Sequence, residues 1–256
     1  MMYRNFNNVF LFNKEKVNSS LFDDISILNE DFEESSQQKY EQDDIDFIIN
    51  YFSARIDLSY LNENACKIYK LSSGAFDTVL HAWLSELPVE KEIFAFCKKV
   101  IASPVAADNR TDNDVVIVQN TAAKVYHEVH RMMGLLRFSP VTNIENKKEE
   151  IYIAKCAPDH FILPALHVYF TARFGETSWS IIDEKRKLFL IRLPGEKAKI
   201  SPLSENIKTC SDGRADEWEE LWRHYHKTIN NEDRQNLDLQ RQLMPQRYWK
   251  YLPEKN

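Results

Sequence analysis

Glycine scarcity is the feature that most restricts what this chain can fold into. The 256 residues include 5 glycines, and the two closest, Gly195 and Gly213, lie 18 residues apart. A P-loop and a dinucleotide-binding fingerprint both need glycines a few residues apart, because the backbone must approach a phosphate closely. The sequence therefore excludes the commonest nucleotide-binding enzymes. It also lacks the Gly-x-Ser-x-Gly elbow of the α/β-hydrolases.

Cysteine and histidine spacing argues against a metal centre. The 4 cysteines stand at positions 66, 97, 156 and 210, too far apart for a C-x-x-C motif. The 7 histidines include no H-E-x-x-H motif; His127 and His130 are three residues apart, whereas His224 and His226 would diverge on a helix. We therefore predict no metal site and no cofactor held by this chain.

The cysteine spacing and the lack of a secretory apolar run at the amino terminus suggest a cytoplasmic protein with reduced thiols. The longest apolar run near the start is Val9–Phe12, far shorter than a signal peptide or a membrane span. A net charge of -6 argues against a protein that coats nucleic acid by overall attraction, although one basic face remains compatible with it.

Two regions differ in their patterning. Residues 1–50 contain eleven acidic side chains and four basic ones. Polar residues dominate to about position 42, which predicts an acidic, weakly patterned segment over residues 1–42. We expect residues 43–256 to form a single domain, helical over 43–133, rich in strands over 134–195 and helical again over 214–252.

Helical periodicity is clearest before Gly134. The sequence Thr111–Asp114 is a helix-start signal, and Gly134 is expected to end that helix. Along this helix the apolar side chains are spaced by four and three residues in turn: Val118, Ala122, Val125, Val129 and Met132. Earlier helices are expected from Asp43, from about Asn62 to Glu86, and after Pro88.

Short apolar runs after Gly134 indicate strands. They cover residues 135–138, 151–156, 179–183 and 188–192, and the last two flank a charged hairpin connection. A helical pattern over residues 158–174 separates the second run from the third. The sequence predicts an α+β fold in which a mostly antiparallel sheet of about four strands packs against surrounding helices.

A first group of candidate residues lies around the end of the helix that precedes Gly134. Glu128 and Arg131 can pair there, whereas His130 points about 200° away from Glu128 on a regular helix. One interpretation is an ion pair that fixes the helix end. The other is an anion-binding pocket lined by Arg131, Arg137 and His130.

A second group surrounds Pro158. Asp159 can cap the helix that follows it by accepting backbone N–H bonds. The alternative is that Asp159 orients or activates a group in a cleft, together with His160. Arg173, at the far end of the same helix, either satisfies terminal carbonyls or binds phosphate.

The carboxyl-terminal stretch interleaves bases with aromatic rings. Residues 234–252 carry four bases and one acid. Arg247, Tyr248, Trp249 and Lys250 have the composition of a single-stranded nucleic-acid groove, in which cations contact phosphates and rings stack on bases. The alternative is that Tyr248 and Trp249 anchor the chain end in the core while the bases remain solvated.

Several gapped motifs occur together in a fixed order. They are Glu128-x-His130-Arg131-x-x-Gly134-x-x-Arg137-Phe138, Pro158-Asp159-His160-x-x-Leu163-Pro164, Phe170-x-x-Arg173-Phe174, Trp179–Asp183, and Arg234-x-Asn236-x-x-x-Gln240-x-x-x-Met244-Pro245-x-Arg247-Tyr248-Trp249-Lys250. In these motifs the chain resembles a bacterial domain-of-unknown-function family whose members are labelled DNA metabolism or DNA repair proteins. The resemblance covers about residues 43–254.

The resemblance implies a context in DNA repair. Family members are generally encoded with a radical S-adenosylmethionine protein described as a DNA modification or repair enzyme, and some are fused to a uracil-DNA-glycosylase-like domain. The present chain lacks a radical enzyme's cysteine triad, so any iron–sulfur chemistry would belong to the partner.

Three functions are compatible with these residues. The first is a DNA repair protein that binds damaged or single-stranded DNA through Arg131, Arg137, Arg173 and Arg247, with Tyr248 and Trp249 stacking, and that assists a radical S-adenosylmethionine enzyme. The second is a hydrolase or lyase acting on a nucleotide or DNA, with Glu128 or Asp159 as acid or base and His130 or His160 as its partner. The third is a protein-interaction scaffold that uses the acidic segment.

Overall fold

The computed structural model describes residues 42–53, 61, 63–142, 150–203, 215–229, 231 and 236–255. Apart from Gln42, the predicted acidic segment lies outside the described residues. The helices are α1 (Gln42–Phe52), α2 (Glu63–Leu71), α3 (Ser73–Leu84), α4 (Glu90–Ala102), α5 (Asn113–Leu135), α6 (Leu163–Phe174), α7 (Ala215–Ile229) and α8 (Leu237–Leu243). Short 3-10 helices follow at Pro104–Asp108, Gln246–Tyr251 and Pro253–Lys255.

The predicted α+β fold is confirmed. The strands β1 (Ser139–Thr142), β2 (Glu150–Cys156), β3 (Trp179–Asp183), β4 (Leu188–Arg192) and β5 (Lys199–Pro202) form one sheet in sequence order. Three of the four pairings are antiparallel, and β2 pairs with β3 in parallel. Helix α6 connects those two parallel strands, because such a pair needs a crossover.

Helix α5 is the centre of the helical layer. Asp112 caps it, its Oδ1 accepting the backbone N–H groups of Asp114 at 3.0 Å and Val115 at 3.4 Å. Lys99 of α4 donates to both Asp112, at 2.6 Å, and Asp114, at 2.7 Å. The predicted stripe from Val118 to Met132 is buried against α3, α4 and α6, which confirms the helix face read from the sequence.

Three features of the strand region differ from what the sequence predicts. Residues 135–138 are not a strand, because α5 continues through Gly134 to Leu135 and β1 begins at Ser139. Gly134 therefore does not end the helix. Strand β5 was not predicted: its four residues include one buried side chain, Ile200, too few for an alternation of apolar and polar residues to show.

Helix α6 lies between the sheet and the helical layer. Its apolar side chains face α1 and α5 on one side and β3 and β4 on the other. The helix ends at Gly175, whose φ of 56° suits glycine. Since α6 connects β2 to β3, its amino-terminal end and the turn before it lie at the carboxyl end of β2, where the candidate residues meet.

Candidate functional site: the 158–160 turn

The turn formed by Pro158, Asp159 and His160 joins β2 to α6 and is held by a carboxylate from α5. Glu128 is 2% exposed and accepts the backbone N–H of Asp159 at Oε1, 2.9 Å, and that of His160 at Oε2, 2.8 Å. A turn buried at this depth would otherwise leave two amide donors without partners. Glu128 therefore fixes the 158–160 turn in place.

Tyr248, from the carboxyl-terminal 3-10 helix, completes the shell around Glu128. Its ring is buried, 1% exposed, and its hydroxyl donates a hydrogen bond to Glu128 Oε1. Burial raises the pKa of Tyr248, and the hydrogen bond to Glu128 raises it further. The hydroxyl thus stays protonated as a donor, and the carboxylate has a partner from a third part of the chain.

Arg247 lies above this buried carboxylate at the protein surface. Its Nη2 is 2.7 Å from Asp159 Oδ2 and 3.8 Å from Glu128 Oε1, and it donates to the Tyr248 hydroxyl at 3.0 Å. Its guanidinium carbon lies 4.7 Å from the centre of the Tyr248 ring. The side chain is nevertheless 47% exposed, so a cation in a fixed position faces solvent.

Arg186 supports the 158–160 turn from the other side. It lies in the β3–β4 connection and donates to Asp183 Oδ2 at 2.6 Å and to the carbonyl oxygens of Pro158 and Asp159 at 3.2 and 2.8 Å. Its Nε donates to Glu86 at 3.0 Å. The Arg186 side chain is 10% exposed and Asp183 is fully buried, so this ion pair belongs to the interior.

The neutral form of His160 is favoured at this position. Its Nδ1 accepts the backbone N–H of Glu86 at 3.2 Å, which leaves the ring proton of the neutral form on Nε2. Burial lowers the pKa of His160 below its ordinary value, against the opposing effects of Glu128 and Asp159. A neutral imidazole therefore lies beside the half-exposed Asp159 carboxylate.

Two further side chains extend the surface beyond Arg247. The ammonium group of Lys250 is 3.5 Å from Glu184 and the side chain is 61% exposed. Lys185 donates to the Asp159 carbonyl oxygen at 3.1 Å. The exposed rim of the 158–160 turn thus carries several cations, while the carboxylate beneath it is fully enclosed.

The sequence motifs converge in part. Five candidate residues meet around the 158–160 turn: Glu128, Asp159, His160, Arg247 and Tyr248. Lys250 lies on the same 3-10 helix as Arg247 and Tyr248.

The interpretation in which Glu128 pairs with Arg131 is wrong. Glu128 binds the backbone of the 158–160 turn and the side chains of Tyr248 and Arg247 instead. The predicted cap by Asp159 is also wrong, because α6 begins after Ile162 with no side-chain cap. The Asp159 carboxylate binds Arg247.

The other candidate residues lie apart from the turn. His130 is exposed on α5, Arg131 is half-buried on the same helix, and Arg173 is exposed at the end of α6. Arg137 donates to Glu254 at 2.8 Å and lies 5.7 Å from the ring of Trp222. Arg137 therefore fastens the chain end to the start of the sheet.

Trp249 is half-buried and also anchored. Its indole Nε1 donates to the Met244 carbonyl at 2.8 Å, and the ammonium of Lys255 lies 4.7 Å from its ring centre. Tyr248, more deeply placed, has its ring inside the core. These two positions match the alternative in which the aromatic rings anchor the chain end.

Sequence reasoning missed Arg186 and Glu86. The sequence pattern places Arg186 in a charged hairpin connection and gives it no role of its own. The one available signal is Asp183, because a carboxylate that ends an apolar strand is rarely buried without a partner, and Arg186 follows three residues later. Among the described residues, no group of three or more His, Cys, Asp or Glu is arranged to hold a metal ion.

Fold and site together define an α+β protein whose carboxyl-terminal segment closes over a charged turn. Residues 89–254 match the family described as a domain of unknown function, DUF4130, and the chain belongs to that family. The match includes all the residues that contact Glu128. No curated protein and no solved structure matches the chain. Within the described ranges, no helix is both long and apolar enough to span a bilayer.

Proposed function

We propose that this protein binds single-stranded or damaged DNA in DNA repair and assists a radical S-adenosylmethionine enzyme. The observation that carries the proposal is the position of Arg247. Its guanidinium is half-exposed, yet Asp159 and the face of the Tyr248 ring hold it in place. An arginine ordered in this way binds a phosphate without losing much further side-chain entropy.

Lys250 adds a second cation on the same side. Side chains three residues apart on a 3-10 helix eclipse one another, and Arg247 and Lys250 have this spacing within the 3-10 helix Gln246–Tyr251. Two cations along one face suit successive phosphates of a single strand. The rings of Tyr248 and Trp249 take no part in the proposed contact, because Tyr248 is enclosed and Trp249 is held by Met244 and Lys255.

Asp159 gives the proposed interface a defined resting state. Its carboxylate Oδ2 is paired with Arg247 Nη2 at 2.7 Å when no strand is bound. A DNA phosphate would replace that carboxylate as the anionic partner of the guanidinium, so binding exchanges one ion pair for another. Asp159 thereby disfavours weakly held anions, and we expect it to limit affinity.

The proposed partner rests on the family resemblance, and the cysteine positions are compatible with it. A radical S-adenosylmethionine enzyme needs three closely spaced cysteines for its cluster, whereas Cys66, Cys97 and Cys156 are separated by dozens of residues. Burial raises the pKa of Cys97 and Cys156, which keeps both as inert thiols. The present chain would therefore contribute DNA binding, and the partner the radical chemistry.

Fluorescence anisotropy with a labelled 20-nucleotide single strand, the matching duplex and a uracil-containing strand tests the proposal. Titrations at about 50 and about 200 mM salt give the dependence of the affinity on salt. We expect the single strand to bind more tightly at low salt. Arg247→Ala should lower the slope of log affinity against log salt by about 0.7, the value for one phosphate contact.

Arg241→Ala is the matched control, because it removes the same charge. Arg241 lies on α8, 51% exposed and paired only weakly with Asp238 at 3.2 Å. Its loss should leave the slope of the parent unchanged. Absence of binding at the lower salt concentration, or equal slopes for Arg247→Ala and Arg241→Ala, would contradict the proposed interface.

A further inference from the structure

A cavity of about 540 Å³ lies between α1, α6 and the β4–β5 connection, on a different part of the molecule from the 158–160 turn. Its walls include the apolar side chains of Ile49, Val168 and Ala198. The remaining lining residues are polar or small: Asp46, Asn50, Ser53, His167, Thr171, Ala172, Arg192, Glu196, Lys197 and Lys199. A space of this size accommodates a small organic molecule.

Ser53 and His167 form a hydrogen bond at the wall of this cavity. Ser53 Oγ, at the end of α1, is 2.7 Å from His167 Nε2 on α6. His167 is 5% exposed. A hydroxyl in direct contact with a buried imidazole is the arrangement in which a histidine can accept the proton of a serine nucleophile.

The contact made by the second ring nitrogen, Nδ1, fixes the tautomer of His167. His167 Nδ1 is 2.9 Å from the Pro164 carbonyl oxygen, and since a carbonyl can only accept, Nδ1 carries a hydrogen. Burial lowers the pKa of His167, so the ring is neutral at neutral pH and Nε2 bears a lone pair. Nε2, 2.7 Å from Ser53 Oγ, is therefore an acceptor that the hydroxyl hydrogen of Ser53 can reach by rotation about the Cβ–Oγ bond.

The backbone of α1 orients the Ser53 side chain. In this rotamer the Ser53 hydroxyl donates to the Ile49 carbonyl oxygen at 2.8 Å, and the same carbonyl also accepts the Ser53 backbone N–H at 3.1 Å. This contact restricts the Ser53 rotamer and keeps Oγ between the helix end and the imidazole. Asn50, three residues earlier and therefore on the same helix face, brings an amide donor to the same cavity.

We propose that Ser53 is a nucleophile activated by His167 and that the cavity accepts small, uncharged carboxylic esters. In the acylation step Ser53 Oγ attacks the ester carbonyl carbon while its proton moves to His167 Nε2. The carbonyl oxygen takes the negative charge, with the Asn50 amide as its donor. Collapse of this adduct breaks the ester C–O bond, and the imidazolium returns the proton to the leaving alkoxide, which departs as an alcohol.

Deacylation uses the same two groups. A water molecule gives its proton to His167 as its oxygen attacks the acyl carbon, and Ser53 then leaves with that proton restored. The products are one carboxylic acid and the free enzyme, so no oxidant or metal is required. The charged groups at the cavity suit an uncharged substrate. Lys199 is paired with Glu196 at 3.2 Å and Arg192 with Glu176 at 3.3 Å, and the two other charged lining residues, Asp46 and Lys197, have opposite signs.

Labelling of the full chain with a fluorophosphonate probe, followed by peptide mass spectrometry, tests this proposal directly. We expect stoichiometric attachment at Ser53 and a burst of nitrophenolate from p-nitrophenyl acetate. Ser53→Ala should abolish both signals. His167→Gln should slow labelling by at least about 100-fold, the lower end of what a general base contributes. Ser73→Ala, at an exposed position of α3, should label like the parent.

The labelling site in the parent protein decides the matter even if a variant folds poorly. No attachment, attachment at another residue, or an unchanged labelling rate in a folded His167→Gln protein would each overturn the proposal. Circular dichroism melting of every variant identifies any that are unfolded. None of these outcomes depends on DNA binding, so the cavity and the Arg247 surface are tested separately.

Discussion

The buried carboxylate of Glu128 accepts a hydrogen bond from the hydroxyl of Tyr248, 120 residues further along the chain. Glu128 belongs to the central helix α5, and Tyr248 to the closing 3-10 helix Gln246–Tyr251. The same carboxylate binds the backbone of Asp159 and His160. One side chain thus connects the helical layer, the β2–α6 turn and the carboxyl-terminal segment, and each connection can be removed separately.

Tyr248→Phe removes the hydroxyl and leaves the ring. Hydrogen bonds to charged groups contribute about 1.5 to 3 kcal/mol, so the free energy of unfolding should fall by about 2 kcal/mol. Urea denaturation followed by tryptophan fluorescence measures this loss. Tyr225→Phe is the control, since Tyr225 is 51% exposed, and it should stay within about 0.5 kcal/mol of the parent. Equal stability of the two variants would contradict a structural role for the Tyr248 hydroxyl.

Glu128→Gln should destabilise the fold more than Tyr248→Phe does. An amide presents one oxygen, whereas three donors converge on the carboxylate, so at least one buried donor loses its partner. We expect a loss of about 3 kcal/mol in the same denaturation experiment. A double-mutant cycle with Tyr248→Phe should give a coupling of about 0.5 to 3 kcal/mol. Simple additivity would show that the two side chains act independently.

Arg186→Met should lower the stability of the fold, because it leaves the buried Asp183 carboxylate without its cationic partner. Arg186 is the partner of the fully buried Asp183, and removal of one member of such a pair costs about 3 to 5 kcal/mol. Lys187→Met, at the next position of the same connection and exposed, should leave stability within about 0.5 kcal/mol. Thermal denaturation of both proteins distinguishes these outcomes, and similar melting temperatures would refute the interior role of Arg186.

Stability should decline as the pH falls from 7 to 5. The pKa of His167 is lowered by burial, so between that value and about 6.5 the unfolded chain takes up a proton that the folded chain does not. Acidification therefore favours unfolding, with a slope of at most about 1.4 kcal/mol per pH unit from this residue. His167→Gln should flatten the dependence measured by urea denaturation at several pH values.

His81 provides a test of the opposite sign. Burial alone would lower its pKa, but hydrogen bonding and attraction to Asp77 outweigh burial and raise it. Its contribution to stability is therefore full below about pH 6.5 and is lost as the pH rises through the raised value. His81→Gln should therefore remove the gain in stability that the parent shows as the pH falls toward about 6.5, and should leave the slope below that pH unchanged. A steeper decline in His167→Gln, or an unchanged dependence above about pH 6.5 in His81→Gln, would contradict these assignments.

Long periodic segments were predictable from the sequence. The stripe from Val118 to Met132 lies where its pattern indicates, because burial of one helix face selects apolar residues at regular intervals. Strands β3 and β4 coincide with short apolar runs, and β3 is buried over its whole length. The residues 135–138 were assigned wrongly for a related reason. Their apolar run is compatible with either structure, and the chain uses Leu135 to end α5 and Leu136 to fill the core.

The candidate site was only partly predictable, because its contacts are set by topology. The sequence indicates Glu128, Asp159 and Arg247 as candidate site residues, but the one partner that it offers Glu128 is Arg131 on the same helix, in one of two interpretations. The actual partners come from a turn 31 residues away and a segment 120 residues away. Residue spacing within one helix or strand does not indicate which distant parts of the sequence come into contact. Arg186 was missed for the same reason, since its importance lies in the buried carbonyls it reaches.

Because Glu128 and Tyr248 are far apart in the sequence, they are added to the growing chain at different times. At typical synthesis rates of about 5 to 20 residues per second, Tyr248 is joined to the chain roughly 6 to 24 seconds after Glu128. During that interval helix α5 and the sheet can assemble, but the carboxylate lacks its tyrosine. The final packing of the 158–160 turn is therefore a late event in biosynthesis.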